Sequence, residues 1–184
     1  MAATHVALIR GINVGGKNPV PMAALRQALA AEGFDDVRTY IQSGNVVLGA
    51  PGRAEHEVNE AVEAVLEREF AVATVVVTLT ADAVRSTVAT APKGFGSDAA
   101  AFRYDVIFVR PGIDPAEVLP RVRLREGVDD AWAGERALYF RRLEALRTKS
   151  LLNRVLDLPE YRSMTIRNWR TTLAVLELLH HNSA

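Results

Sequence analysis

The first half of the chain alternates short aliphatic runs with longer stretches in which apolar residues recur at helical spacing. Apolar residues three or four positions apart are typical of a helix, whereas short continuous or alternating apolar runs are typical of strands. The pattern predicts two helices, at residues 21–32 and 54–70. It also predicts four strands, which are HVALIR (5–10), DVRTYIQ (36–42), NVVLG (45–49) and ATVVVTL (73–79).

The second and third predicted strands flank Ser43-Gly44, which indicates a hairpin with a two-residue turn. The first half therefore has the order β-α-β-β-α-β. With right-handed crossovers, this order suits a ferredoxin-like split βαβ sandwich, in which the third strand lies between the first two. It does not suit a doubly wound parallel sheet.

The second half loosely repeats this order of elements, without a repeat at the level of residues. A helix at 80–90, capped by Thr80, ends the first half, and a Pro- and Gly-containing loop at 92–99 is the expected boundary between the halves. The pattern then predicts a strand, a short helix, two strands and two helices, at residues 103–109, 114–122, 123–132, 136–142, 148–158 and 168–180. We expect an α+β fold with two ferredoxin-like halves (1–91 and 92–184) and an extra C-terminal helix, packed as a single compact unit.

Composition narrows the function classes. The chain of 184 residues carries 22 basic and 22 acidic side chains, so its net charge gives no general attraction to nucleic acid or to an anionic membrane. It contains no cysteine, which excludes disulfides, thiolate catalysis and cysteine-ligated metals. None of the four histidines pairs with carboxylates at metal-ligand spacing; they are His5, His56, His180 and His181. The N-terminal segment has no basic leader, and we expect a cytoplasmic protein.

The stretch RGINVGGKN (10–18) contains the spacing of a phosphate-binding P-loop, GxxxxGK. In a P-loop a helix begins at the Gly-Lys pair, but here Pro19 and Pro21 prevent a helix from starting at Lys17. Three glycines in six residues still allow positive φ angles and close approach of a ligand. An ordinary turn between a strand and a helix explains the same glycines, and both interpretations remain open on these residues alone.

Two further stretches carry polar side chains that a turn or a helix start does not require. The predicted topology places the hairpin YIQSGN, with Gln42, Ser43 and Asn45, at the same end of the sheet as the glycine-rich loop. Near the C-terminus, SMTIRNWRTT (163–172) combines a guanidinium and an indole with a helix start that either Asn168 or Thr165 could cap. Alternatively, Trp169 anchors the core and Arg167 pairs with a carboxylate.

The segments LIRGINVGGKNPVPMAALR, VRTYIQSGNVVL and MTIRNWRT together resemble the bacterial DUF1697 family nearly end to end. The family typically has Thr-Arg-Asn-Trp near its C-terminus, whereas this chain has one residue, Ile166, inserted between Thr165 and Arg167. The resemblance implies tandem α+β units of ferredoxin-like type. It implies no reaction, because the molecular function of the family is uncharacterised.

These observations lead to three alternative functions. The leading hypothesis is a site for a small phosphorylated or carboxylated ligand, formed by Arg10, Asn13, Gly15, Gly16, Lys17, Gln42, Ser43, Asn45, Arg167, Asn168 and Trp169. The second is a module that docks a protein or nucleic acid through the same residues, and the third is a purely structural role. No catalytic residue, cofactor or oligomeric state is indicated.

RVRLR (121–125), interpreted as a strand, places three arginines on one face, but the predicted central strands lack aromatic residues for stacking on bases, which disfavours RNA binding.

Overall fold

The computed structural model describes residues 3–180, which form two compact units. The first unit runs to Arg85 and resumes at Leu173, and the second comprises Ser86–Thr172. Each unit contains one four-stranded antiparallel sheet with helices, so the predicted α+β fold with two halves is confirmed. No helix among the described residues is long and apolar enough to cross a membrane.

The sheet of the first unit has the interleaved strand order that the sequence predicts, β2-β3-β1-β4. The elements of this unit are β1 (His5–Ile9), α1 (Met22–Ala31), β2 (Asp35–Tyr40), β3 (Asn45–Gly49), α2 (Glu55–Phe70), β4 (Val76–Thr80) and the start of α3 (Ala81–Ala89). Strand β1 pairs antiparallel with β3 and with β4. The apolar faces of α1 and α2 bury Leu25, Leu29, Val62 and Leu66 completely in the core of this unit.

The hairpin between β2 and β3 differs from the two-residue turn expected at Ser43-Gly44. Tyr40 pairs with Asn45, so the loop contains four residues, 41–44. The fully buried side chain of Asn45 donates a 3.1 Å hydrogen bond to the Tyr40 carbonyl oxygen, and Ile41 adopts a positive φ of 48°. The earlier strand end follows from this side-chain bond, which the alternation of apolar residues cannot reveal.

The second unit repeats the same strand order, β6-β7-β5-β8. Its elements are β5 (Phe102–Val109), α4 (Pro115–Val118), β6 (Asp129–Ala133), β7 (Ala137–Leu143), β8 (Met164–Asn168) and the start of α5 (Trp169–His180). Strand β8 was absent from the sequence prediction, because five residues between a Pro-containing segment and a helix give too short a pattern. It pairs antiparallel with β5 and completes the sheet.

Two predicted elements in the second unit are wrong. Residues 148–158 are not one helix, because the connection from β7 to β8 consists of 3-10 turns at Glu144–Lys149, Leu152–Asp157 and Pro159–Ser163. Ser150 between the first two turns is extended (ψ 145°), and the buried carboxylate of Asp129 accepts the backbone amide of Leu151 at 2.8 Å. RVRLR is not a strand either: a 3-10 turn ends at Arg121, and Asp129 also accepts the Arg125 amide, at 3.0 Å.

Candidate functional site

The glycine-rich loop after β1 closes into a tight turn, residues 14–17, which we call the glycine turn. The backbone amide of Lys17 donates to the Val14 carbonyl oxygen at 3.1 Å, and Gly15 and Gly16 have φ angles of 59° and 74°. Positive φ at both central residues is the pattern of a type I′ turn, which glycine adopts without steric cost. No helix begins at Lys17, since α1 starts only at Met22, and the loop is therefore not a P-loop.

The glycine turn is open to solvent. A Cβ atom added at Gly15 or Gly16 would have no neighbour within 4 Å, and residues 14–19 are all exposed. Within residues 3–180, the amides of Gly15 and Gly16 donate to no protein group. Two neighbouring N–H groups therefore point to solvent beside the Lys17 side chain.

Asn13 holds the base of the loop in place. Its side-chain amide donates at 2.8 Å to the carbonyl oxygens of Val20 and of Gln42, and its side-chain oxygen accepts the Val20 amide at 2.8 Å. Both amide hydrogens are thus used within the protein. Asn18, also at positive φ, donates to the Gly11 carbonyl oxygen at 3.1 Å.

The hairpin loop, residues 41–44, lies against the glycine-rich loop through the bond from Asn13 to Gln42. The structure therefore brings these two sequence-predicted stretches together. Asn45, expected as a ligand contact, instead donates to Tyr40 and to the Ser43 hydroxyl oxygen at 3.1 Å. The Gln42 side chain is exposed and the Ser43 side chain is half-buried.

Arg10 follows β1 directly and is half-buried. Its amide donates to the Val75 carbonyl oxygen at 3.0 Å, and its carbonyl oxygen accepts the Thr74 hydroxyl at 2.5 Å. These bonds tie the start of the glycine-rich loop to the segment before β4. The backbone of Arg10 is therefore fixed at the same end of the sheet as the glycine turn.

Arg167, Asn168 and Trp169 belong to the second unit, where Arg167 lies on β8 opposite Val106. The Arg167 side chain is buried, and one guanidinium nitrogen donates to the Thr165 hydroxyl oxygen at 2.9 Å and to the Ile166 carbonyl oxygen at 2.8 Å. Burial lowers the pKa of Arg167 to about 10, against a smaller raising effect of Tyr161. The guanidinium thus remains charged at neutral pH.

Asn168 is the cap of α5, since its side-chain oxygen accepts the Thr171 amide at 2.8 Å. Trp169 packs edge-on against Phe95 with ring centroids 5.1 Å apart. Phe95 is the centre of an aromatic cluster, the remaining members of which are Tyr104, Trp132 and Tyr139. The hydrophobic pattern does not predict this cluster, although Gly94-Phe95-Gly96, an aromatic residue between two glycines in a loop, is a visible signal.

The second unit also contains a cavity of about 680 Å³, widely open to solvent, which the sequence pattern did not predict. Its lining residues are Arg125, Thr148, Lys149, Ser150, Leu151, Asn153 and Arg154. We call it the basic cavity, because three of these seven described residues have cationic side chains and none has an acidic one. The only sequence signal was the clustering of basic and hydroxyl side chains in RTKS (147–150). Among residues 3–180, no three His, Asp or Glu side chains gather in a way that could hold a metal ion.

Comparisons with known proteins agree with the α+β fold. The family described as "Protein of unknown function (DUF1697)" matches residues 2–139. A solved structure, that of the conserved bacterial protein SP0830 from Streptococcus pneumoniae, is 28% identical, with a TM-score of 0.81. The similarity covers 96% of this chain and 98% of that chain. No curated protein matches the chain.

Proposed function

We propose that this chain, which belongs to the DUF1697 family, binds a small anionic ligand at the glycine turn. The observation that carries the proposal is the pair of solvent-facing amides of Gly15 and Gly16 beside the exposed Lys17 side chain. Backbone N–H groups of successive residues in a turn are suited to binding an anion. The Lys17 ammonium supplies a point charge for a phosphate or carboxylate group.

The scaffold around the turn supports this proposal. The Asn13 side chain makes three hydrogen bonds of 2.8 Å, two to Val20, which precedes α1, and one to Gln42 in the hairpin loop. The loop is therefore largely ordered before a ligand binds. A preorganised loop loses less conformational entropy when a ligand binds. Gln42, exposed on the hairpin loop, then offers its side-chain amide for the polar part of the ligand.

The proposal rests on the first unit alone. Arg167 and Trp169 were expected to contribute a charge and a stacking surface to the same ligand. Within the second unit, Arg167 is buried beside Thr165, and Trp169 packs on Phe95. These contacts give both residues a structural role that does not depend on a ligand.

A second candidate function, docking of a protein partner, is favoured by one specific observation. Val14 is 59% exposed and Ile41 is 51% exposed, and they immediately adjoin Asn13 and Gln42, which are hydrogen-bonded to each other. Two large aliphatic side chains at the tips of adjacent loops would bury apolar surface against a partner. Such a partner would also cover the two glycine amides.

Titration of isotope-labelled protein with inorganic phosphate, pyrophosphate and citrate, followed by NMR of the backbone amides, tests the proposed anion site. We expect the amide signals of Gly15 and Gly16 to shift most, and Lys17→Ala to weaken this response about tenfold. Lys93→Ala removes the same charge from an exposed loop position of the second unit and is the matched control. If Lys93→Ala weakens the response as strongly, or if the two glycine signals do not move, the proposal is wrong.

A further inference from the structure

The basic cavity of the second unit owes its existence to an irregular connection. In the first unit, the chain crosses from β3 to β4 through α2, a regular helix of 16 residues. The corresponding connection from β7 to β8 consists of three 3-10 turns instead. Long connections without regular structure in compact domains are frequently functional. Here the irregular segment supplies six of the seven side chains that line the cavity.

A buried carboxylate holds two walls of the cavity together. One oxygen of Asp129 accepts the backbone amide of Arg125 at 3.0 Å and that of Leu151 at 2.8 Å. Arg125 precedes β6, whereas Leu151 lies in the irregular segment, so the carboxylate fixes the two lining segments to each other. Asp129 itself is 6% exposed and is not part of the lining.

The charge of the lining favours an anion. Arg125, Lys149 and Arg154 are all cationic and exposed, and among the described residues no acidic side chain lines the cavity. Of these three, Arg154 has a surface ion pair with Asp157 at 3.3 Å. Exposed pairs of this kind contribute less than about 1 kcal/mol, so the guanidinium can exchange this partner for a more highly charged one. The negative charge of Asp129 offsets one of the three cations.

The remaining lining residues indicate what accompanies the anion. Thr148, Ser150 and Asn153 present hydroxyl and amide groups, and within residues 3–180 Leu151 is the sole apolar side chain of the lining. The Ser150 hydroxyl oxygen accepts the Leu152 amide at 3.2 Å, which leaves its proton for a ligand. No aromatic side chain of residues 3–180 lines the cavity, and this part of the chain therefore offers no surface on which a nucleobase would stack. A volume of about 680 Å³ lies within the range of small-molecule sites.

We propose that the basic cavity is a second, independent binding site that accepts a phosphorylated polyol of the sugar phosphate class. The guanidinium groups of Arg125 and Arg154 and the Lys149 ammonium neutralise the phosphate, since planar guanidinium groups match phosphate oxygens in pairs. The hydroxyl and amide side chains of Thr148, Ser150 and Asn153 bind the hydroxyl groups of the polyol. This site does not depend on the glycine turn, which lies in the first unit.

Calorimetric titration with four probes tests this proposal: fructose bisphosphate, glucose phosphate, inorganic phosphate and unphosphorylated glucose. We expect fructose bisphosphate to bind at least about tenfold more tightly than inorganic phosphate, and glucose not to bind. Arg125→Gln and Arg154→Gln should each weaken binding of the bisphosphate about tenfold. Both side chains are exposed, so the variants should melt at the temperature of the unmodified protein.

Arg147→Gln is the matched control. Arg147 is exposed, lies in the same irregular segment and pairs with Glu144 at 3.4 Å, but does not line the cavity. Equal weakening by Arg147→Gln would show general charge attraction and overturn the proposal, as would the absence of sugar phosphate binding. A short single-stranded RNA that binds the same cavity more tightly than the bisphosphate would overturn the ligand class. Lys17→Ala should leave the binding of the bisphosphate unchanged. The proposals for the basic cavity and for the glycine turn are therefore tested separately.

Discussion

The side-chain amide of Asn13 donates a 2.8 Å hydrogen bond to the main-chain carbonyl oxygen of Gln42, 29 residues further along the chain. This bond joins the loop after β1 to the loop between β2 and β3. The second hydrogen of the same amide is donated to the Val20 carbonyl oxygen, so a single side chain fixes both ends of the glycine-rich loop. The two open amides of the glycine turn are therefore presented from a fixed base.

Replacement of Asn13 by alanine should loosen this base. The change removes three side-chain hydrogen bonds, and we expect a loss of about 2 kcal/mol in the free energy of unfolding. Urea denaturation measures this loss. We also expect the backbone amides of Gly15 and Gly16 to become less ordered, which NMR relaxation measures. Asn18→Ala is the matched control, because Asn18 also has a positive φ but donates one side-chain bond, to Gly11. Equal losses in both variants would show that backbone strain, not the bonds of Asn13, dominates.

Gly44 should tolerate no side chain, because the backbone of β1 lies against it. A Cβ atom there would stand 2.8 Å from the Ile9 carbonyl oxygen and 2.9 Å from the Ile9 Cβ atom. We expect Gly44→Ala to cost about 3 kcal/mol, from the left-handed backbone and from overpacking. Gly52→Ala carries the same kind of backbone strain (φ 78°) without any neighbour within 4 Å, and should cost about 1 kcal/mol. Chemical denaturation of both variants measures the difference, and equal costs would remove the steric explanation.

Most elements of the first unit were predictable because apolar spacing and chain topology act together there. The expectation that the glycine-rich loop meets the hairpin followed from strand order alone, and the bond from Asn13 to Gln42 confirms it. The failures arise where a distant polar side chain determines the backbone. Asp129 takes the amide of Leu151, 22 residues away, and no local pattern reveals that the segment from 148 to 158 therefore leaves the helical path.

The contact between the glycine-rich loop and the hairpin loop was predictable, but the roles of their polar side chains were not. Asn13 and Asn45 were expected to contact a ligand, yet the side-chain amides of both donate hydrogen bonds to carbonyl and hydroxyl oxygens of the protein. The composition of a loop indicates which polar groups are present. It does not indicate which of them form hydrogen bonds with the backbone, because such bonds depend on the donor–acceptor distances and angles in the folded chain.

His5 should make stability depend on pH in the mildly acidic range. Burial lowers the pKa of His5 below its ordinary value of 6.5, against a smaller raising effect of Glu55. The unfolded chain therefore takes up a proton first as the pH falls, and stability is lost from about pH 7 down to the folded-state pKa. Urea denaturation at about pH 7.5 and pH 5.5 should show a smaller loss for His5→Gln than for the unmodified protein. His56→Gln, at an exposed position, should keep the full loss, and the same reduction in both variants would contradict the assignment.

Arg167 should be required for stability. Its replacement by alanine removes the guanidinium group that donates hydrogen bonds to Thr165 and Ile166, and it leaves a space in the interior of the second unit. We expect a loss of about 2 kcal/mol, from the lost hydrogen bonds and the lost packing of the buried side chain. Arg170→Ala, at an exposed position in the first turn of α5, should change stability by less than about 0.5 kcal/mol. A melting temperature of Arg167→Ala equal to that of the unmodified protein would restore a ligand-binding role for this guanidinium.

Gly96 should control the position of the Trp169 indole. A Cβ atom at Gly96 would overlap the indole nitrogen and the adjacent ring carbon of Trp169, so either the ring or the loop has to move in Gly96→Ala. Gly94→Ala is the matched control, because its φ of 78° is close to the 85° of Gly96 and its nearest neighbour, the Ser97 hydroxyl oxygen, is 3.7 Å away. Both variants carry backbone strain of about 1 kcal/mol, and only Gly96→Ala should cost about 2 kcal/mol more.

Fluorescence distinguishes movement of the ring from simple loss of stability. The chain has two tryptophans, so a Trp132→Phe background leaves Trp169 as the single indole emitter. In that background, Gly96→Ala should shift the emission of the folded protein to longer wavelength, because the indole loses its edge contact with Phe95 and meets more water. Gly94→Ala should leave the emission unchanged. An unshifted emission in Gly96→Ala, together with the expected destabilisation, would mean that the loop moves and that the indole is fixed by the remaining aromatic cluster.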